Sequence, residues 1–199
     1  EYLREGDVII QNAGNSAVGL TIIQFARQMG ISCLSLVRSE RLIKELKAYG
    51  ATEVWLDNEK VPEKVAEFTD NHGCAIALNS VGGKSAMRLA KSLKPGGVHV
   101  TFGAMNGDPV RFPTRNLIFD DVRFVGFWLD RWKQQQTHAQ LINALEDILQ
   151  PLAMTELKYP IDSVYSLENF SKALKRNSES RLGKVLLTRD IGALKKTTN

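Results

Sequence analysis

The stretch QNAGNSAVGLTIIQFARQMG, residues Gln11 to Gly30, decides the fold. It follows DVII, a short apolar run that glycine stops, which reads as a buried strand. From Val18 to Met29 apolar residues recur at helical spacing, and the run closes at Gly30. Strand, glycine turn and helix open a dinucleotide-binding unit, whose usual fingerprint is G-x-G-x-x-G. Here the middle glycine is a serine: Gly14-Asn15-Ser16-Ala17-Val18-Gly19. A helix begun at this point aims free amides and the positive end of its dipole at whatever sits above it, and a diphosphate suits that place. Gly19 lets the helix lie close, and a side chain at Gly14 is expected to intrude on the diphosphate. Ser16 stands where backbone usually approaches closest, yet its hydroxyl can donate a hydrogen bond. The bland alternative is a strand-to-helix turn with no ligand.

The rhythm continues outward. SCLSLV, EVWL, CAIALNSV, VHVTFG and VRFVGFW read as further strands. Between them lie helices in ERLIKELKAYG (with Ser39 as its cap), in VPEKVAEFTD and in KSAMRLAKSL, the last stopped by KPGG. Another helix is expected from Gln140 to Leu149, halted by Pro151. Strands alternating with helices of this length mean right-handed crossovers and a parallel sheet. The fold class is therefore α/β, a Rossmann-type doubly wound parallel sheet of six strands in the order 3-2-1-4-5-6 with helices on both faces. After Pro151 the rhythm changes to YPIDSVYS, LENFSKALKR and GKVLLT, and ALKKTTN ends the chain as a polar tail. Residues 1–152 thus form a nucleotide-binding domain, 153–190 a carboxyl-terminal segment and 191–199 the tail. The abrupt start EYLREGDVII reads as a cut inside a longer protein.

The end of the second strand selects the nucleotide. An NAD site places Asp or Glu there, on the ribose 2′-hydroxyl. Arg38 occupies that place, with Ser39, Glu40 and Arg41 behind it. A guanidinium suits a 2′-phosphate in shape and charge, so NADPH is the expected cofactor. The alternative assigns Arg38 and Arg41 to a basic helix face with Lys44 and Lys47. NSVGGK and TFGAM end the fourth and fifth strands where the nicotinamide end should fall. Phe127, Trp128 and Trp132 are candidates for an apolar substrate pocket, though core packing or an interface would use such aromatics equally well.

Composition excludes other classes. Across 199 residues, 43% hydrophobic and 24% charged residues suffice for an ordinary core, and a net charge of +4 is too small for a nucleic-acid coat. No apolar run approaches membrane-spanning length. His72, His99 and His138 stand apart, and no Cys/His spacing suits zinc. His99 reads as structural, and Cys33 and Cys74 as buried reduced thiols. There is no Tyr-x-x-x-Lys pair and no G-x-S-x-G elbow.

Several phrases, NSAVG, LVRSE, ALNSVGGKSAMRLAKSL, VTFGAM, LIFDDVRFVGFWL and GKVLLT, resemble the mitochondrial trans-2-enoyl-thioester reductases of the medium-chain dehydrogenase/reductase superfamily. The similarity runs from about Gly6 to Thr188, and VGFWLDRW is its most specific part. It implies NADPH-dependent reduction of a 2-enoyl thioester on coenzyme A or acyl carrier protein, in mitochondrial fatty-acid synthesis. It carries diphosphate contacts onto Asn15, Ser16, Ala17 and Val18, and adenosine-end contacts onto Arg38, Ser39 and Glu40. Further cofactor contacts fall on Phe102, Gly103, Ala104 and Met105, on Phe127, Trp128 and Leu129, and on Lys184. Glu40 departs from the second basic residue common in the family, for which Arg41 is a substitute. The resemblance also implies a preceding catalytic domain, absent from this chain, that carries the proton-donating tyrosine. Residues 153–190 would return to that domain. A homodimer is expected, and an acidic carrier is expected to meet Arg131 and Lys133. The runner-up readings are an NADPH quinone reductase and a non-catalytic NADP-binding module. Were the chain itself active, Tyr165 or Lys184 would be the first candidates for the acid.

Overall fold

The computed structural model describes residues 3–154 and 157–189, so the polar tail lies outside the described residues. Six parallel strands build the main sheet: β1 (Val8–Gln11), β2 (Ser32–Val37), β3 (Glu53–Leu56), β4 (Cys74–Asn79), β5 (Leu93–Thr101) and β6 (Arg123–Gly126). Their order is β3-β2-β1-β4-β5-β6, the expected doubly wound arrangement with its switch point between β1 and β4. Helices α1 (Ala17–Gln28), α2 (Leu42–Ala48), α3 (Val61–Phe68) and α4 (Gly83–Lys91) fill the crossovers. Successive strand residues serve opposite faces. Ile9, Cys33 and Val37 join Leu20, Ile23 and Leu46 in one core. Ile10, Leu34 and Leu36 join Val61, Val65 and Leu89 in the other. That two-sided burial is why the strands read as continuous apolar runs. Each fully buried Leu or Ile contributes about 1.5–3 kcal/mol relative to exposure.

Several boundaries differ from the sequence reading. Helix α2 begins at Leu42, and Ser39 caps it with neither hydroxyl nor position: the Ser39 and Glu40 carbonyls instead form turns, accepting from Leu42 and Ile43 N–H at 3.2 and 3.0 Å. KPGG does not separate helix from strand but lies inside β5, which pairs Leu93 with Cys74 and then shifts register. Pro95 is tolerated because a bulge needs no ladder donor there. Gly96 takes φ +72°, and its N–H reaches the Asp120 carbonyl at 2.7 Å.

Strand β6 ends at Gly126, followed by α6 (Leu129–Gln134), and a short α5 (Thr114–Ile118) precedes it. Helix α7 spans His138–Ala153 and continues past Pro151, whose missing N–H removes a single bond in the final turn. Its start is a reciprocal cap: the Gln140 side chain accepts from Thr137 N–H at 2.8 Å, and Thr137 Oγ1 accepts from Gln140 N–H at 3.3 Å.

The last segment forms its own βαβ unit, β7 (Ile161–Ser166), α8 (Phe170–Ser178) and β8 (Lys184–Thr188), with β7 and β8 parallel. It is tied to α1. Gln24 exchanges two bonds with the Lys158 backbone, at 2.7 and 3.0 Å, and Thr21 meets the Tyr159 hydroxyl at 2.9 Å.

Candidate functional site

The carboxyl ends of β1, β2, β4 and β5 form the floor of the site. Between β1 and α1 the left-handed residue is Ala13 (φ +48°), and its carbonyl accepts from Ser16 N–H at 2.9 Å. Gly14 donates to the Leu36 carbonyl at 3.0 Å. A Cβ at position 14 would stand 2.8 Å from Ser35 Cβ and 3.0 Å from Leu46 Cδ2, so β2 and α2 already require that glycine, before any ligand does. A Cβ at Gly19 would stand 2.7 Å from the Gly14 carbonyl oxygen and 2.8 Å from that of Ala13. The helix therefore sits directly on the turn, as its spacing predicts.

Ser16 is the N-cap of α1. Its extended backbone (φ −71°, ψ 161°) lets Oγ accept from Gly19 N–H at 3.0 Å. The hydroxyl proton stays available for an anion. Ala17 and Val18 occupy the first helical positions, where backbone amides have no partner inside the helix. Asn15 is already committed, since its Nδ2 donates to the Arg181 carbonyl at 3.0 Å.

At the end of β2, Arg38 is exposed and, among the described residues, has no hydrogen-bond or ion-pair partner. Ser39 is half-buried and Glu40 exposed. Arg41 is not free: its Nη2 donates to the Ser180 carbonyl. The two arginines that the sequence treats alike are thus in different situations.

The switch point holds a polar network that the sequence reading missed. Asn12 Nδ2 donates to Asn79 Oδ1 at 2.8 Å and to Ser85 Oγ at 2.9 Å, and Asn12 Oδ1 accepts from Ser80 N–H at 2.8 Å. Ser85 in turn donates to Asp57 at 2.6 Å, which Arg88 Nε also holds at 2.8 Å. Buried polar groups of this kind need such partners, and satisfied networks hold loops rigid. The signal was present, since DVIIQN and CAIALNSV each end an apolar run in asparagine. His99 extends the network beneath it. It is fully buried, its Nε2 lies 3.2 Å from the Ala86 carbonyl, and its ring lies 5.2 Å from that of Phe124. Burial pulls its pKa below the usual histidine value, so it serves structurally as a neutral ring.

The loop from Phe102 to Met105 is laced to this floor. Phe102 N–H donates to the Asn79 carbonyl and Met105 N–H to that of Ser80, both at 3.0 Å. Gly103 packs on Ser80, where a Cβ would come within 3.0 Å of the carbonyl oxygen. Ala104 and Met105 face solvent. Phe127 N–H donates to the Thr101 carbonyl at 2.9 Å, which brings residues 127–129 beside that loop. Phe127, Trp128 and Leu129 are exposed, Trp128 at 65%, while Trp132 is half-buried. A cleft of about 580 Å³ runs along α4, walled by Glu59, Lys84, Met87, Arg88 and Arg111, and none of those aromatics borders it.

Lys184 opens β8 with its side chain exposed, and Tyr165 lies in β7 of the same small sheet. Lys133 is paired with Asp130 at 2.7 Å on the surface, whereas Arg131 has no ion-pair partner among the described residues. Cys33 and Cys74 are buried free thiols, pushed up to about 11 and about 12 by desolvation.

A strand-end cradle of this kind, on a sheet of this order, is shared by a large group of oxidoreductases, and residues 17–147 match the model described as zinc-binding dehydrogenase. The chain belongs to that family. Among the described residues no group of three His, Cys, Asp or Glu is placed to hold a metal ion. The chain is 36% identical over 183 residues to the mitochondrial enoyl-[acyl-carrier-protein] reductase of Xenopus tropicalis, covering 88% of this chain and 52% of that protein. It spans about half the length of the curated relatives it matches. Among solved structures it resembles the Etr1p/NADP/crotonyl-CoA complex, at 26% identity and a TM-score of 0.79, over 94% of this chain and 55% of that one. A quinone oxidoreductase of Pseudomonas syringae is similar at 25% identity and a TM-score of 0.79, over 93% and 57%. No described helix of this dehydrogenase-family chain is long and apolar enough to cross a membrane.

Proposed function

We propose that this chain is the NADPH-binding portion of a mitochondrial enoyl-thioester reductase acting on 2-enoyl groups carried by coenzyme A or acyl carrier protein. The observation that carries the reading is Arg38: an exposed guanidinium, without a partner among the described residues, where an NAD site would hold a carboxylate. The cradle fits the rest of the cofactor. The amides of Ala17 and Val18, the Ser16 hydroxyl and the dipole of α1 hold the diphosphate. Gly14 and Gly19 keep that surface close. Phe102–Met105 and Phe127–Leu129 flank the nicotinamide end, and the exposed Lys184 is a further contact.

Bound NADPH supplies the hydride that reduces the enoyl thioester at its β-carbon. The residues of this chain bind and orient the cofactor and wall one side of the substrate. The proton donor, a tyrosine in the resemblance, belongs to an amino-terminal domain that residues 153–190 would join. The names of the relatives support the thioester substrate and the mitochondrial setting. A homodimer, and a weak salt-sensitive contact between Arg131 and an acidic carrier, complete the proposal. The likeness to a quinone oxidoreductase favours a second reading with the same cofactor and a quinone as oxidant.

Titration by nicotinamide fluorescence tests the core of this proposal. NADPH should bind more tightly than NADH, and Arg38→Ala should cost about 1.5–3 kcal/mol, roughly ten- to hundredfold, for NADPH alone. Equal affinities in the unmutated protein would refute it. The 199-residue chain by itself should bind NADPH without consuming it when given a 2-enoyl thioester, because one open face cannot supply positioning worth about 7–11 kcal/mol. Comparing enoyl thioesters with quinones on the two-domain protein separates the two substrates.

A further inference from the structure

Arg41 stands one position before α2, where the sequence suggests a second phosphate ligand, yet its guanidinium is bonded to the Ser180 carbonyl. Next along the chain, the Arg181 carbonyl accepts from Asn15 Nδ2 at 3.0 Å. Leu182 then packs against the core that α1 and α2 cover. Residues 179–183 therefore lie as a strap across the gap between the amino-terminal ends of α1 and α2. The other end of the strap is held as well. Arg176 grips both carboxylate oxygens of Asp162, pairs with Glu179 at 3.0 Å and reaches the Ser180 carbonyl at 3.5 Å. Gly183 turns the chain back at φ +91°, where a Cβ would strike the Pro160 carbonyl oxygen at 2.1 Å. The strap is thus anchored by Arg176 and Gly183 on the small sheet and by Asn15 and Arg41 on the nucleotide domain.

We propose that Arg41 is a positioning residue that latches the 179–183 strap over the adenosine end of the cofactor cleft, and that Arg38 alone reads the 2′-phosphate. The inference rests on the cofactor reading above. Its physical basis is a division of labour. A guanidinium held by a backbone carbonyl 139 positions away orders a loop, whereas one with no partner is available to a dianion. An ordered strap lowers the entropy lost when the adenosine half is enclosed, whichever dinucleotide binds. Arg41 therefore affects NADPH and NADH alike, while Arg38 affects their ratio.

The test combines trypsin cleavage at Arg181–Leu182, followed by mass spectrometry without cofactor, with titration of NADPH and NADH. Arg41→Ala should speed that cleavage and weaken both cofactors about fivefold, with their ratio unchanged. Arg41→Lys, which keeps a donor, should recover most of both effects. Arg38→Ala should leave cleavage unchanged and collapse the ratio. Arg176→Ala, which frees the strap from its other anchor, should repeat the Arg41→Ala pattern. The inference is overturned if Arg41→Ala collapses the ratio as Arg38→Ala does, or if neither Arg41→Ala nor Arg176→Ala changes cleavage. Should the unmutated chain bind neither dinucleotide, the cofactor reading fails and this inference with it. The cofactor-free cleavage series distinguishes that result from a failed latch.

Discussion

Replacing Gly19 with alanine isolates the close seat of α1 on its turn. The added Cβ would lie 2.7 Å from the Gly14 carbonyl oxygen, 2.8 Å from the Ala13 oxygen and 2.8 Å from the Gly14 carbonyl carbon. All three are backbone atoms of a turn tied to β2 through Gly14 N–H and the Leu36 carbonyl, so no flexible side chain can yield. Overpacking of this sort costs about 1–3 kcal/mol, and rigid neighbours put it in the upper half of that range. Against it stands the helix preference for alanine over glycine, at most about 1 kcal/mol and less in the first turn. The net loss is about 1.5–2.5 kcal/mol, which for a chain of this size lowers Tm by roughly 3–10 °C. The shift also moves the Ala17 and Val18 amides and strains the Ser16 cap, so NADPH affinity falls with stability. Differential scanning calorimetry with and without NADPH, beside a fluorescence titration, reads both. A Gly19→Ala protein with unchanged or raised Tm and unchanged affinity would refute the argument from close approach.

Other substitutions follow from the same geometry. Ser16→Ala removes the cap on Gly19 N–H and should cost about 1 kcal/mol, while Ser16→Gly should cost only a few tenths, as urea unfolding would reveal. His99 has a pKa lowered in the fold. Its contribution is full above the unfolded value of 6.5 and is lost as pH falls below it, and His99→Phe should flatten that acid limb of Tm against pH. Cys33 and Cys74 are raised, so their contribution is full below the unfolded value of 9.0 and fades as pH climbs towards about 11 and about 12. A thiol reagent at pH 8 should therefore label neither cysteine until the chain unfolds, and fast labelling of the native protein would contradict their burial.

The sequence by itself determined the sheet. Six apolar runs separated by helical segments point to one strand order, because right-handed crossovers leave few others and the central strands must bury both faces. It also located the turn at Gly14 to Gly19, the special residue at Arg38 and, in hindsight, the cap of α7, since Thr137-His138-Ala139-Gln140 is a capping-box pattern. These are short-range properties, legible from neighbours three or four positions apart. What only the tertiary structure decided depends on residues far apart in the chain. Gly14 is demanded by Ser35 and Leu46, not first by a ligand. Asn12 and Asn79 become partners because β1 and β4 are adjacent at the switch point, 67 positions apart in sequence. Arg38 and Arg41 look equivalent in the string LVRSERL. They part company because a loop 139 positions beyond Arg41 folds back and presents a carbonyl to one of them. Spacing along a helix or strand cannot encode that choice: it is made when the carboxyl-terminal unit docks on α1 and brings the strap to the cleft.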